Sequence, residues 1–316
     1  SLYKHIYINC VCVQTGFENK DFDSGNQYAG EENSGTGGEQ ITKIKKLKEC
    51  QNMGYKGIDE RYRSVDFIKG ICILFIIITH HSWSKAEMSK YLFPFWIDMA
   101  VPLFMIISGF VYSESYKKHN ITSFEEAYAI SNVLNKVMRY TIPFTIVFGV
   151  EIVTLIIRYK VNSSASQMIC YFLTGGFGPG SYYYPVMMQF IFFFPVIFFI
   201  IRRYRFNGLI ICGSMNFVYE LLHKAYGMNE ECYRLLLFRY ILVIAFGCYL
   251  SIKKNKYSKK VCVISMLAGI TYIVLYRYLG YTPLLTIHWT GTSFWACLYI
   301  MPISIMILRN EKLKCK

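Results

Sequence analysis

Charge is scarce in this chain. Asp, Glu, Lys and Arg make up 17% of its 316 residues, while 54% are hydrophobic. A soluble domain of this length buries its core with less apolar sequence, which argues against a soluble globular protein. Acid is scarcer than base, with 20 Asp and Glu against 34 Lys and Arg and a formal net charge of +14. Such an excess can signal nucleic acid, but the placement of the charges, described below, assigns it to a membrane. Paired cysteine is also lacking. Cys10 and Cys12 form a lone C-x-C without a second pair at metal-ligand spacing, and Cys72, Cys170, Cys212, Cys248, Cys262 and Cys297 stand singly in apolar sequence. Neither a zinc site nor a disulfide framework is expected, and the single cysteines read as small buried hydrophobes. A signal peptide of the usual form is missing too, so the first apolar block is expected to act as an uncleaved signal anchor.

What is present is apolar sequence in long blocks. Eight of them fall near 64–83, 94–113, 138–157, 184–201, 208–222, 235–252, 261–279 and 288–308. About 20 apolar residues suffice to cross a bilayer as a helix. A backbone in lipid must satisfy its own hydrogen bonds, so the expected fold class is all-α, a polytopic transmembrane bundle of about eight spans. The fifth block is short, holds Asn216 and Glu220, and could be re-entrant. Residues 1–60 differ from the rest. "AGEENSGTGGEQ" (29–40) is linker-like, and "ITKIKKLKEC" (41–50) is a basic flank or a short surface helix. This segment is expected to be a mostly disordered cytoplasmic tail, with the membrane domain occupying 61–316.

Lysine and arginine alternate between the loops. Lys43 to Arg63, then Lys117, Lys118, Lys136 and Arg139, then Arg202 to Arg205, then Lys253 to Lys260, and finally Arg309 to Lys316 fall on one side. The other side holds few: Lys85, Lys90, Arg158, Lys160, Lys224, Arg234 and Arg277. Positive charge marks cytoplasmic loops, so both termini are expected in the cytoplasm of a multi-pass plasma-membrane protein. The basic excess then needs no nucleic acid, and the lipid bilayer is the expected partner.

The first block, "SVDFIKGICILFIIITHHSW" (64–83), carries Asp66 and Lys69 at one end and His80 and His81 at the other. At roughly 100° per residue, eleven steps bring His80 back to within about 20° of Lys69, about 16 Å further along the axis. Asp66 falls on the same side. Ionisable groups at such depth usually face a bundle interior or wet cavity and mark function. The plainer reading is that Lys69 snorkels to one interface while the histidines sit at the other.

These residues resemble the acyltransferase-3 family of membrane proteins, whose members are typically bacterial O-acyltransferases of cell-surface and exported carbohydrates. The family's first span carries a basic residue, ten residues and a histidine, here Lys69 and His80. "FMIISGF" (104–110) resembles its second-span F-x-x-x-S-G-F, "KVMRYTIP" (136–143) its following basic loop, and "YYYPVMMQFIFFFP" (182–195) its aromatic fourth span. The similarity covers 61 to about 308. The chain departs from the family at Met187 and Met188, where some members carry Glu, and in the thinner basic cluster of its second loop. Family members usually have ten spans, so a shortened member or a fragment is expected.

The resemblance implies acyl transfer from acyl-CoA, commonly acetyl-CoA, to a carbohydrate hydroxyl, and nothing visible in the sequence implies a metal. Lys69, Lys136 and Arg139 would then hold the donor's phosphates. A hydroxyl is a poor nucleophile at neutral pH and needs a general base, for which imidazole has the right basicity. His80 takes that role. Asp98 could orient a histidine or bind acceptor hydroxyls, or simply cap a helix. Ser108 reads either as a nucleophile or, more simply, as part of a close helix contact. Glu151 and Arg239 could pair with each other, and both, with Asp66 and Gln189, could line the cavity or the acceptor site. Glu220 and His223 read as interfacial. Tyr182, Tyr183 and Tyr184 read as an aromatic belt or a sugar-stacking platform. Two rival functions stay open: a transporter or flippase without chemistry, and an inactive fragment.

Overall fold

The computed structural model describes residues 65–159, 164–177, 180, 182–253, 258–281 and 293–309. The tail expected at 1–60 lies outside these. The described residues are all helical or irregular, without a strand. The helices are α1 (65–79), α2 (Lys85–Lys90), α3 (Ala100–Lys118), α4 (Phe124–Ala127), α5 (Ile130–Tyr159), α6 (Ala165–Thr174) and α7 (Tyr183–Tyr204). They continue as α8 (Phe206–Tyr226), α9 (Glu230–Leu235), α10 (Ile241–Ile252), α11 (Lys259–Arg277) and α12 (Phe294–Arg309).

Among the described residues, four helical stretches are long and apolar enough to cross a membrane: Phe93–Lys118, Phe124–Ile157, Tyr183–Tyr204 and Lys259–Arg277. They correspond to the second, third, fourth and seventh apolar blocks. Ile241–Ile252 and Phe294–Leu308 are apolar but shorter. The fifth block forms α8, which has the length at 21 residues but is diluted by Asn216, Glu220 and His223. The sixth block departs from the expected single helix. Leu236 is extended, Leu237–Arg239 is a 3-10 turn, and α10 starts only afterwards.

Helices α3 and α10 form the centre. Every residue of α10 from Ile241 to Ser251 is buried, as befits a helix apolar on all sides. The two helices run side by side in the same direction. Gly109 of α3 lies against the carbonyl of Ile244, and Gly247 of α10 against the carbonyl of Ile106, so closely that a Cβ at either place would overlap backbone. Small residues let helices approach this far in a bundle where lipid supplies no hydrophobic drive between them. Around this pair, Phe190, Phe194, Ile197, Phe198 and Ile201 of α7 and Tyr272, Ile273, Cys297 and Ile300 of α11 and α12 complete the core. Outward faces stay apolar: Ile142, Ile146, Val150 and Val153 on α5 and Val261, Ile264 and Leu267 on α11 are exposed, as lipid contact requires.

Two of the basic residues that the sequence assigns to one side, Lys117 and Arg202, tie loops and helix ends together. Lys117 Nζ bonds Glu114 at 2.7 Å and donates to the carbonyl of Ser251 at the end of α10 (2.9 Å). Arg202 donates to the carbonyl of Ile121 at 3.2 Å. The opposite end is tied by Tyr278 to the carbonyl of Ser89 (3.2 Å) and by Tyr299 to that of Phe95 (2.9 Å). There α2 opens with a capping box, in which the backbone N–H and hydroxyl of Ser84 donate to Glu87 and hold its carboxyl below the usual range.

Candidate functional site

Helix α1 packs through Cys72 on Ala100 and Phe104 at the start of α3, with Ile68, Phe75 and Tyr183 around them. This contact turns Lys69 inward. The side chain is 2% exposed, so it does not snorkel to an interface. Asp66, one turn earlier, is half-buried. His80 sits in the turn just past α1, half-buried, with its N–H on the carbonyl of Ile77 at 3.2 Å. The polar groups therefore occupy opposite ends of α1. His81 is exposed and meets the Trp83 ring at 5.0 Å. Trp83 in turn donates to the carbonyl of Ile78 at 2.7 Å and meets Phe93, an aromatic girdle at the His80 end.

The other expected donor-binding residues lie toward the Lys117 end. Lys136 is caged by aromatic faces, with Nζ 4.6 Å from the Tyr116 ring centre and 5.4 Å from that of Tyr112. Such faces stabilise a cation where water is scarce. Its Nζ also reaches the Tyr116 hydroxyl at 3.5 Å. Arg139, three residues on, is half-buried.

Ser108 is 4% exposed and donates to the carbonyl of Phe104 within its own helix at 2.9 Å. Next to Gly109, that geometry serves the α3–α10 contact. Asp98 is half-buried and within electrostatic reach of Arg277. Glu151 and Arg239 have separate neighbours. Glu151 accepts from the N–H of Phe177 at 3.1 Å, and its carboxylate fills the space where a side chain at Gly176 would sit. Arg239 lies over the rings of Tyr233 and Tyr240, at 5.2 and 5.4 Å. The tyrosine platform is partly used up within the fold. Tyr184 stacks on Phe144 at 3.9 Å and Tyr183 meets Phe104 edge-on, while Tyr182 carries Arg234 over its ring.

Gln189 is a clamp. Its Nε2 donates to the carbonyl of Leu235 (2.7 Å) and its Oε1 accepts from the N–H of Leu237 (2.9 Å). Those are backbone groups left over by the break before α10. Asn216 does the same from α8, donating to the carbonyls of Phe238 and Arg239 at 3.1 and 3.0 Å. Glu220, one turn from Asn216, accepts from the N–H of Phe294 at 2.6 Å and secures the start of α12. The interfacial reading of Glu220 and His223 is thus overturned, for they are 0% and 6% exposed. The missed signal was Asn216 and Glu220 at i and i+4 in an apolar block, which places both on one helix face.

Among the described residues, no group of His, Cys, Asp and Glu could hold a metal ion. No curated protein and no solved structure matches the chain. A family model described as an acyltransferase domain matches residues 62–314, a stretch that runs from α1 through α12. With that match over most of its length, the chain belongs to the acyltransferase-3 family and is a membrane acyltransferase.

Proposed function

We propose that the protein moves an acyl group, acetyl in the simplest case, from acyl-CoA to a hydroxyl of a cell-surface or exported carbohydrate. The observation that carries this reading is α1, with a buried lysine at one end and a histidine at the other. The topology that fits is both termini in the cytoplasm at the plasma membrane, with eight spans. The Lys136 and Arg139 end then faces the cytosol, where acyl-CoA is made, Lys69 lies deeper along the path, and His80 faces the acceptor.

In this reading Lys69, Lys136 and Arg139 attract the donor's phosphates, and burial of Lys69 and the aromatic cage of Lys136 keep those charges strong by limiting water. The neutral His80 imidazole takes the proton from the acceptor hydroxyl as its oxygen attacks the thioester carbonyl. The same proton passes to the departing thiolate, so the imidazole ends neutral. Asp98 supports the acceptor side, and Asp66 the cytoplasmic mouth. Transfer of labelled acetyl from acetyl-CoA to a crude cell-surface glycan extract, by protein reconstituted in lipid, tests the reading. Lys69→Ala should raise the KM for acetyl-CoA. Label found only on CoA and in free acetate would sink it.

The break at Leu236–Arg239 favours a second reading, because discontinuous helices also build transport sites. Glycan flux across vesicles without acyl-CoA would select it. Neither flux nor transfer would leave the inactive fragment.

A further inference from the structure

Lipid tolerates irregular backbone only where protein buries it or where it lines a wet cavity. The Leu236–Arg239 break is held by two side-chain amides, Gln189 and Asn216. The orientation of the Asn216 amide is set by chemistry. The carbonyls of Phe238 and Arg239 only accept, so Nδ2 must face them and Oδ1 must face away.

Oδ1 of Asn216 is buried without a hydrogen-bond partner, and so is Oε2 of Glu220. The other carboxylate oxygen is already spent on Phe294. The hydroxyl of Tyr233, reaching in from α9, is buried and also lacks a partner. Residues 216 and 220 are helical neighbours, about 5–6 Å apart at Cβ. Asn216 and Glu220 are 0% exposed and Tyr233 is 3% exposed. A buried polar atom left unmatched costs on the order of 1–3 kcal/mol, so three beside one helix break call for an explanation. A more exposed side chain lies within electrostatic reach of Arg239. Tyr182 is half-buried, carries the exposed Arg234 over its ring at 5.1 Å, and is within electrostatic reach of Arg239.

We propose that Asn216, Glu220 and Tyr233 form a hydroxyl-binding subsite for the acceptor, entered past Tyr182 and Arg234. Two acceptor oxygens and a phenol match sugar hydroxyls, which both donate and accept. Arg239 beside the carboxylate keeps a bare cation from competing. The site lies at the bundle end where Gln189, the start of α12 and the start of α10 meet, opposite the Lys117 end. The inference rests on the carbohydrate reading of the acceptor given above.

Saturation-transfer NMR of oligosaccharides from a cell-surface glycan extract, with the protein in lipid nanodiscs, tests it directly. Wild type should show transfer. Glu220→Gln keeps an oxygen for Phe294 but replaces the second carboxyl oxygen with an amide donor, and should weaken glycan binding by about tenfold. Arg234→Gln, at an exposed position, should weaken it without touching the fold. Acetyl-CoA binding should not change in either variant. Equal glycan binding by wild type and both variants would overturn the subsite, and so would no binding by wild type. Failure of the two proposals is distinguishable. Glycan binding lost in Glu220→Gln, without acyl transfer by wild type, sinks the chemistry and keeps the subsite. Transfer with an unchanged acceptor KM in Glu220→Gln sinks the subsite and keeps the chemistry.

Discussion

The two ends of α10 solve opposite problems. Toward its C-terminal half, Gly247 rests directly on the backbone of α3, with Ser251 beyond it bonded to Lys117 and Glu114. At its N-terminal end the helix begins after a break, among Arg239, Asn216, Glu220 and Tyr233. Close backbone packing dominates the first region around Gly109 and Gly247, so it tolerates no added atom there. Hydrogen bonds hold the second, so it tolerates changes of shape but not the loss of a partner. The contrast teaches where a membrane bundle keeps rigidity and where it keeps chemistry.

The largest effect should come from breaking the dry end. Gly247→Val puts branched carbon into the Ile106 carbonyl and should cost about 3 kcal/mol, read as a fall in melting temperature and in monodisperse yield. Gly149→Ala is the contrast, since a Cβ there meets nothing within 4 Å. It should leave stability unchanged or raise it by up to about 1 kcal/mol. A tolerated valine at 247 would show that the close crossing is not what holds the core.

The polar end should respond more mildly to single deletions. Gln189→Ala and Asn216→Ala each strip two hydrogen bonds from the break and should each cost about 1–3 kcal/mol. Backbone amides at 235–240 should exchange faster with deuterium in both. Unchanged exchange would mean that the break supports itself.

The smallest effect belongs to Ser108→Ala. Its hydroxyl only bonds back to Phe104, so stability should fall by less than about 1 kcal/mol and turnover should stay within a few-fold of wild type. Loss of all turnover would restore the nucleophile reading.

The sequence showed the dry half of this account well. Apolar blocks gave the helices, and "SGF" at 108–110 could be read as a contact because small residues have little else to do in lipid. Two lysine and arginine residues of the same set, Lys117 and Arg202, bond the carbonyls of Ser251 and Ile121 respectively. The polar half was not legible. Nothing in "LLLFRYILV" marks a break before Ile241, because no proline or glycine makes it. Gln189 and Asn216 create it from other helices, and tertiary partners leave no local trace. Glu220 was misplaced for the same reason. A carboxylate near a helix end looks interfacial until the start of α12 arrives to bond it. The plainer reading of Lys69 fails because snorkelling is the default for a lone lysine, whereas this one is buried in the bundle.

The central claim is that His80 moves the proton in acyl transfer. It is tested most directly by the release of free CoA from acetyl-CoA, in lipid, with glycan acceptor present, by wild type and His80→Ala. The account predicts a loss of about 100-fold or more in kcat, with acetyl-CoA binding and melting temperature unchanged. Turnover by His80→Ala equal to that of wild type would contradict it.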